Sequence, residues 1–243
     1  MAEPFTNIVR RTMAADVNIR LLGEPGVAVN GSVHATTERV SMLLALLGSR
    51  PNSPVSSSFL TEAIWPEGTS RSTLHVLVAR ARKLFPEGSE VQLVTTPVGY
   101  KLIAPPGAID LVRFERSVTA GLAASEDGRS DEAERLLRVA LDQWDTPFGL
   151  LAQHPALVAE TVRLVEMRDT AEEELSAAVL ELGRQGGDLD RFQRLVDEEP
   201  LRERRWAQLM TALYRSGRQS EALRCAQRAR SYLAEEIGVA PGP

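Results

Sequence analysis

Apolar and polar residues alternate at first with the period of a strand. In VNIRLLG (17–23), Val17, Ile19 and Leu21 fall on one side of the chain, as on a half-buried strand. GVAVNGSV (26–33) follows, with Val27 and Val29 ahead of Asn30-Gly31, a pair that favours a two-residue hairpin. The period then lengthens. RVSMLLALLGSR (39–50) is apolar through its middle and stops at Gly48 and Pro51. VSSSFLTEAIW (55–65) offers Ser56 as an N-cap and sets Phe59, Leu60, Ala63 and Ile64 on one face. TSRSTLHVLVARARKLF (69–85) has Thr69 or Ser70 as cap and ends before Pro86. At 100° per residue its Leu74, Leu77, Val78, Ala81, Leu84 and Phe85 cluster on the core side. LVTTPVGYKL (93–102) returns to strand-forming residues around a corner, because Pro97 cannot donate to a ladder and Gly99 permits a positive φ. A small sheet, three helices and a terminal hairpin make the layout of a winged helix-turn-helix.

Beyond Asp110 the pattern predicts helices over 110–125, 130–144, 155–185, 188–198, 202–216 and 219–236, joined at turn-prone DG, GG, SG and EEP. An internal period of 34 residues matches Leu175 with Leu209, Gly183 with Gly217 and Leu195 with Ala229. Trp206, Leu209, Gly217, Ala222 and Ala229 fall where a tetratricopeptide helix pair places large and small residues, and Gly128, Ala133 and Ala140 repeat the small-residue spacing. An ordinary antiparallel bundle is the alternative. The fold class expected is therefore mainly α with a small antiparallel β component: a winged helix-turn-helix, then a tetratricopeptide-like helical domain.

Charge divides along the same line. Residues 17–110 carry eight Lys/Arg and seven Asp/Glu, whereas residues 111–243 carry 18 and 24, a net −6. A compact nucleic-acid binder usually has a clearer positive excess than the +1 of the first part. The longest apolar run, Met42 to Leu47, is too short to span a bilayer, and Arg10 and Arg11 interrupt any signal-peptide core. The cytoplasm is the simplest home. One cysteine, Cys225, excludes an intrachain disulfide and a cysteine-rich metal site. No GxxxxGK[ST], HExxH, CxxC or GxSxG pattern occurs. His34, His75 and His154 lie far apart, and the carboxylates of AEEEL (171–175) read as a solvated helix face. No catalytic constellation, metal site or cofactor is expected, so the chain reads as a non-enzyme.

Several stretches together carry a family resemblance: RLLG (20–23), LLALL (43–47), FLTEAIWPEG (59–68), STLHVLVARARKL (72–84), TTPVGYKL (95–102), FERSVTAG (114–121), PLRERRWAQLMTALYRSGRQSEAL (200–223) and EEIGVAPGP (235–243). The chain resembles the Streptomyces antibiotic regulatory protein family, whose members pair an OmpR-like winged helix with a bacterial transcriptional activator domain. Residues 1–16 (MAEPFTNIVRRTMAAD) read as a flexible tail, and the resemblance, over roughly 17–243, implies the winged helix over 17–108 and the helical activator domain over 109–243. It also implies a DNA-binding activator that acts on promoter direct repeats as a homodimer and recruits RNA polymerase, with the sigma subunit as the contact. The partner is then double-stranded DNA, with no membrane involved.

In that arrangement the third helix enters the major groove and the hairpin lies beside the backbone. The residues placed at DNA are Ser70, Arg71, Ser72, Thr73, His75, Val76, Ala79, Arg80, Arg82 and Lys83 on the helix, with Thr95, Thr96 and Lys101 on the hairpin. Relatives usually carry small polar residues or amides at 75, 76 and 79, and often basic ones at 41 and 57, where this chain has serines. Val76 and Ala79 can touch a thymine methyl but cannot hydrogen-bond a base edge, which tilts the expectation to A·T-rich half-sites. Two other readings stay open at this point. The helical repeats could form a protein-interaction module whose winged helix binds DNA weakly or not at all. The chain could also be the N-terminal part of a larger multidomain regulator, or of an enzyme or ATPase.

Overall fold

The computed structural model describes residues 15–238, apart from the side chains of Arg71 and Ile237. Most of the expected tail over 1–16, and the end of EEIGVAPGP, lie outside the described residues. Asp16 is already tied into structure: its N–H donates to Asn30 Oδ1 (3.1 Å), and the Asn30 N–H donates to its carbonyl (2.8 Å). The chain forms two compact units, residues up to 111 with 146–159, and residues 112–145 with those from 160 onward.

The first unit opens with an antiparallel meander of β1 (Val17–Arg20), β2 (Gly26–Val29) and β3 (Ser32–His34). Asn30 (φ 49°) and Gly31 (φ 79°) both take positive φ in the turn, as the Asn-Gly pair predicts. Helix α1 (Glu38–Gly48) buries every residue from Met42 to Gly48, so its unbroken apolar run is the centre of this unit's core. Residues 55 and 56 lead into the helix that Ser56 is expected to cap. They form a two-residue strand, β4 (Val55–Ser56), and α2 (Ser57–Ile64) begins only after it. The chain is extended here because Val55 pairs with Tyr100 and Ser56 with Gly99. Ser56 still caps α2, its hydroxyl accepting the Phe59 N–H (3.2 Å). Helix α3 (Arg71–Arg82) and the hairpin of β5 (Gln92–Thr95) and β6 (Gly99–Ile103) complete the winged helix, with strand order β4-β6-β5.

Residues 146–159 also belong to the first unit, although the sequence pattern placed them in the helical half. Gly23 N–H donates to the Thr146 carbonyl (2.9 Å), and Phe148 N–H donates to that of Leu21 (2.7 Å). Phe148 is fully buried and takes a left-handed conformation, φ 62°. His154 serves a turn in this segment, its Nδ1 accepting the Ala156 N–H (3.2 Å).

The second unit is helical: α4 (Asp110–Glu126), α5 (Ser130–Leu141), α6 (Val158–Glu181), α7 (Leu189–Glu198), α8 (Glu203–Arg215) and α9 (Gln219–Ile237), with α4 and α6 each starting in the first unit. The 34-residue period has a physical counterpart. Gly183 and Gly217 both end their helices at positive φ (69° and 76°). The next N–H, of Arg184 or Arg218, reaches back to the carbonyl of Val179 or Leu213. Leu175, Leu195, Leu209 and Ala229 are buried as the repeat predicts, while Ala222 is only half-buried.

One reading is corrected here. The carboxylates of 171–175 do not solvate a helix face, because Glu172 and Glu173 are buried. Glu172 pairs with Arg191 (2.6 Å), and Glu173 with Arg202 (3.3 Å). Beside them the Arg205 side chain, wholly excluded from solvent, pairs with Asp169 (2.7 Å) and donates to the Leu195 carbonyl (3.0 Å). Burial alone would disfavour these charges, so they are found together and hydrogen-bonded. Among the described residues no helix is long and apolar enough to cross a membrane, and no three His, Cys, Asp or Glu gather to hold a metal ion.

Candidate nucleic-acid interface

Helix α3 has the two faces that its sequence spacing predicts. Leu74 and Ala81 are fully buried, and Val78 and Leu77 nearly so, while Leu84 and Phe85, just past the helix, are half-buried. On the reverse side Ser72, His75, Val76, Ala79 and Lys83 are exposed, as are the flanking Arg80 and Arg82. Val76 is 52% exposed, so its methyl groups are available on this face.

The start of α3 is rich in hydroxyls. Ser70 is the N-cap by backbone geometry, yet its side chain does not cap a backbone N–H. It engages the hydroxyls of Ser72 (2.7 Å) and Thr73 (3.0 Å), and Thr69 also donates to Thr73 (3.0 Å). The Thr73 N–H donates to the Ser70 carbonyl (3.0 Å), and the positive dipole end of the helix suits an anion such as a phosphate. At its other end Arg80 and Arg82 sit in the last turn, where a positive side chain is also stabilised by the helix itself. Arg71 lies in the first turn, and its side chain is outside the described residues.

The hairpin turns through Pro97-Val98, closed by the Thr96 N–H donating to the Gly99 carbonyl (2.8 Å). Gly99 is needed for a reason other than the positive φ expected of it. A Cβ there would overlap the Val55 carbonyl oxygen and stand 2.6 Å from Ser57 N, so glycine permits the close approach of β4. Lys101, half-buried, lies opposite Val94. The hydroxyls of Thr95 and Thr96 are not idle. Thr96 Oγ1 accepts the Gly99 N–H (3.2 Å), and Thr95 Oγ1 accepts from Arg82 Nη2 (2.8 Å). Arg82 Nε also donates to the Leu93 carbonyl (2.8 Å), and His75 meets Tyr100 edge-on at 6.4 Å.

The structure thus brings together α3 and the hairpin, the two elements singled out from the sequence. It turns Ser41 away from any such face, since the Ser41 hydroxyl donates to the Pro25 carbonyl (2.9 Å). Sequence reasoning missed the inward role of Arg82. The signal available was only its position one residue past the buried Ala81, where a long side chain can reach a neighbouring strand.

Residues 109–243 match the family described as the bacterial transcriptional activator domain. The chain belongs to the Streptomyces antibiotic regulatory protein family. Among its relatives, transcriptional regulatory protein EmbR of Mycobacterium tuberculosis is 33% identical over 96% of this chain and 62% of its own length. Regulatory protein DnrI of Streptomyces peucetius is 30% identical over 93% of this chain and 88% of its own. A solved structure of Mycobacterium tuberculosis EmbR, in complex with a low-affinity phosphopeptide, superposes with a TM-score of 0.87 at 32% identity, over 94% of this chain and 62% of that one. The chain spans less than two thirds of EmbR and most of DnrI.

Proposed function

We propose that the chain is a DNA-binding transcriptional activator that reads promoter direct repeats as a dimer and recruits RNA polymerase. The observation that carries the reading is the exposed reverse face of α3, beside a hairpin, in a chain of this family. Helix α3 enters the major groove. Ser70, Arg71, Ser72, Thr73, Arg80, Lys83, Thr96 and Lys101 hold phosphates, and His75, Val76 and Ala79 face base edges. The residues from 111 onward, at a net −6, repel DNA and offer an acidic surface to a basic polymerase segment, for which the sigma subunit is the natural candidate.

The test is a titration of promoter DNA over a salt series. Each phosphate neutralised contributes a slope of about −0.9 in log K against log salt, so Arg71, Arg80, Lys83 and Lys101 together give about −3.6 per protomer. A flat response, or no binding in dilute buffer, would sink the reading in favour of a protein-interaction module. The weak +1 of residues 17–110 is what favours that second reading.

A further inference from the structure

We propose that Arg82 is a positioning residue that locks the hairpin to α3, so that the two present one rigid surface to DNA. The inference rests on the DNA-binding reading and reassigns one residue within it. Both prongs of the guanidinium are used inside the protein. Nε donates to the Leu93 carbonyl and Nη2 to Thr95 Oγ1, each at 2.8 Å, so one side chain at the end of α3 grips β5 at two points. Both are short, charge-assisted bonds in a fork that only arginine can form. Thr95 closes the end of β5, and among the described side chains of α3 only that of Arg82 is hydrogen-bonded to the hairpin, whose turn is tied on its other side to α2 by the Ser57 N–H donating to the Val98 carbonyl (3.1 Å). The nearest second link between the elements is the edge contact of His75 with Tyr100, which carries no hydrogen bond.

A two-stranded hairpin is marginally stable by itself. Here β4 supports β6 from one side, but only Val55 and Ser56 pair with it, at Tyr100 and Gly99. On the free side of β5 the two hydrogen bonds of Arg82 add to the apolar packing of Leu93 and α3. Lys101, on the partner strand, then reaches a phosphate at a fixed distance from α3, without ordering the hairpin at each encounter. The charge of Arg82 still contributes to the local field, but its geometry is committed to the protein.

The experiment compares Arg82→Lys and Arg82→Ala with the unaltered chain in two measurements. Lysine keeps the charge and loses the fork. In the free protein, hydrogen exchange of the Thr96 and Gly99 amides is expected to quicken about tenfold in both variants, the equivalent of one charge-assisted hydrogen bond, while the cooperative unfolding transition persists. Unchanged exchange overturns the tether. In DNA titrations Arg82→Lys is expected to bind about tenfold more weakly, and Lys101→Ala to cost less in that background than alone, because a loosened hairpin no longer delivers Lys101. If Arg82→Lys instead binds as the unaltered chain does, and Arg82→Ala only lowers the salt slope by about 0.9, Arg82 is a phosphate ligand and the proposal fails. If the unaltered chain shows no salt-dependent DNA binding, the functional reading falls, and the exchange result alone still decides the tether.

Discussion

At Gly99 a missing side chain decides how the hairpin is seated. The Val55 carbonyl and Ser57 N occupy the space a Cβ would need, and both belong to backbone that cannot swing aside as a flexible side chain can. Ser57 N–H also donates to the Val98 carbonyl (3.1 Å), so the start of α2 is fixed against this turn. Gly99→Ala is expected to destabilise the first unit by about 1–3 kcal/mol, through displacement of β4 from β6. Chemical denaturation checks the size of the loss, and a midpoint equal to that of the unaltered chain would show that the strands part without strain. At the same scale α3 was legible in advance, because Leu74, Leu77, Val78 and Ala81 are spaced as one buried face and their burial depends on little else. Gly99 was legible only as a glycine near a turn. Its reason is a strand about 44 residues earlier, which no local pattern reveals.

Among elements, the pairing of α6 with α7 and α8 rests on charge as much as on apolar contact. Arg205 and Asp169 are both buried and pair with each other, while the Leu195 carbonyl takes a second guanidinium N–H. Asp169→Asn removes the closer of the two carboxylates at Arg205, with Glu173 still 3.5 Å from its Nε, and a loss of about 3 kcal/mol is expected. Thermal unfolding of the helical unit would record it; a shift within experimental error would mean that water reaches the site. Glu198, at the end of α7, belongs to the same set. Burial opposes its ionisation, but hydrogen bonds from Arg194 and Arg168 outweigh this and hold its carboxyl below the ordinary value. Its contribution is thus present above the unfolded pKa of 4.5 and is lost as pH falls through the lower folded value. The same long reach explains why AEEEL was misread as solvated. Arg168 lies on the same helix as Glu172, but the closer cations that cover Glu172 and Glu173 lie at Arg191, Arg202 and Arg205, beyond the end of α6. By contrast the helices themselves, and the matching glycines at 183 and 217, follow from local periodicity and turn chemistry and were read nearly to their ends.

In the whole molecule the first unit is discontinuous, and this sets how the chain can be divided. TPFGLLAQHPALVA (146–159) carries no charge, and only its residues from 155 fall within an expected helix, so nothing in its sequence points to a partner more than a hundred residues earlier. Yet Phe148 and Leu157 are buried there, and Leu150 N–H donates to Glu24 Oε1 (2.9 Å). A fragment ending at Leu111 lacks these residues. Losing a buried phenylalanine costs about 3–5 kcal/mol, a large share of the 5–15 kcal/mol that holds a typical domain together. Such a fragment is therefore expected to unfold at a much lower denaturant midpoint than the first unit does in the full chain. The same fragment with 146–159 appended through a glycine-serine linker should recover most of the difference, whereas equal midpoints for all three would mean that the segment is only laid on the surface. The consequence reaches the functional reading. If a fragment ending at Leu111 fails to bind DNA, that failure cannot assign DNA contacts to the helical unit, because the fragment has also lost part of the fold that presents α3.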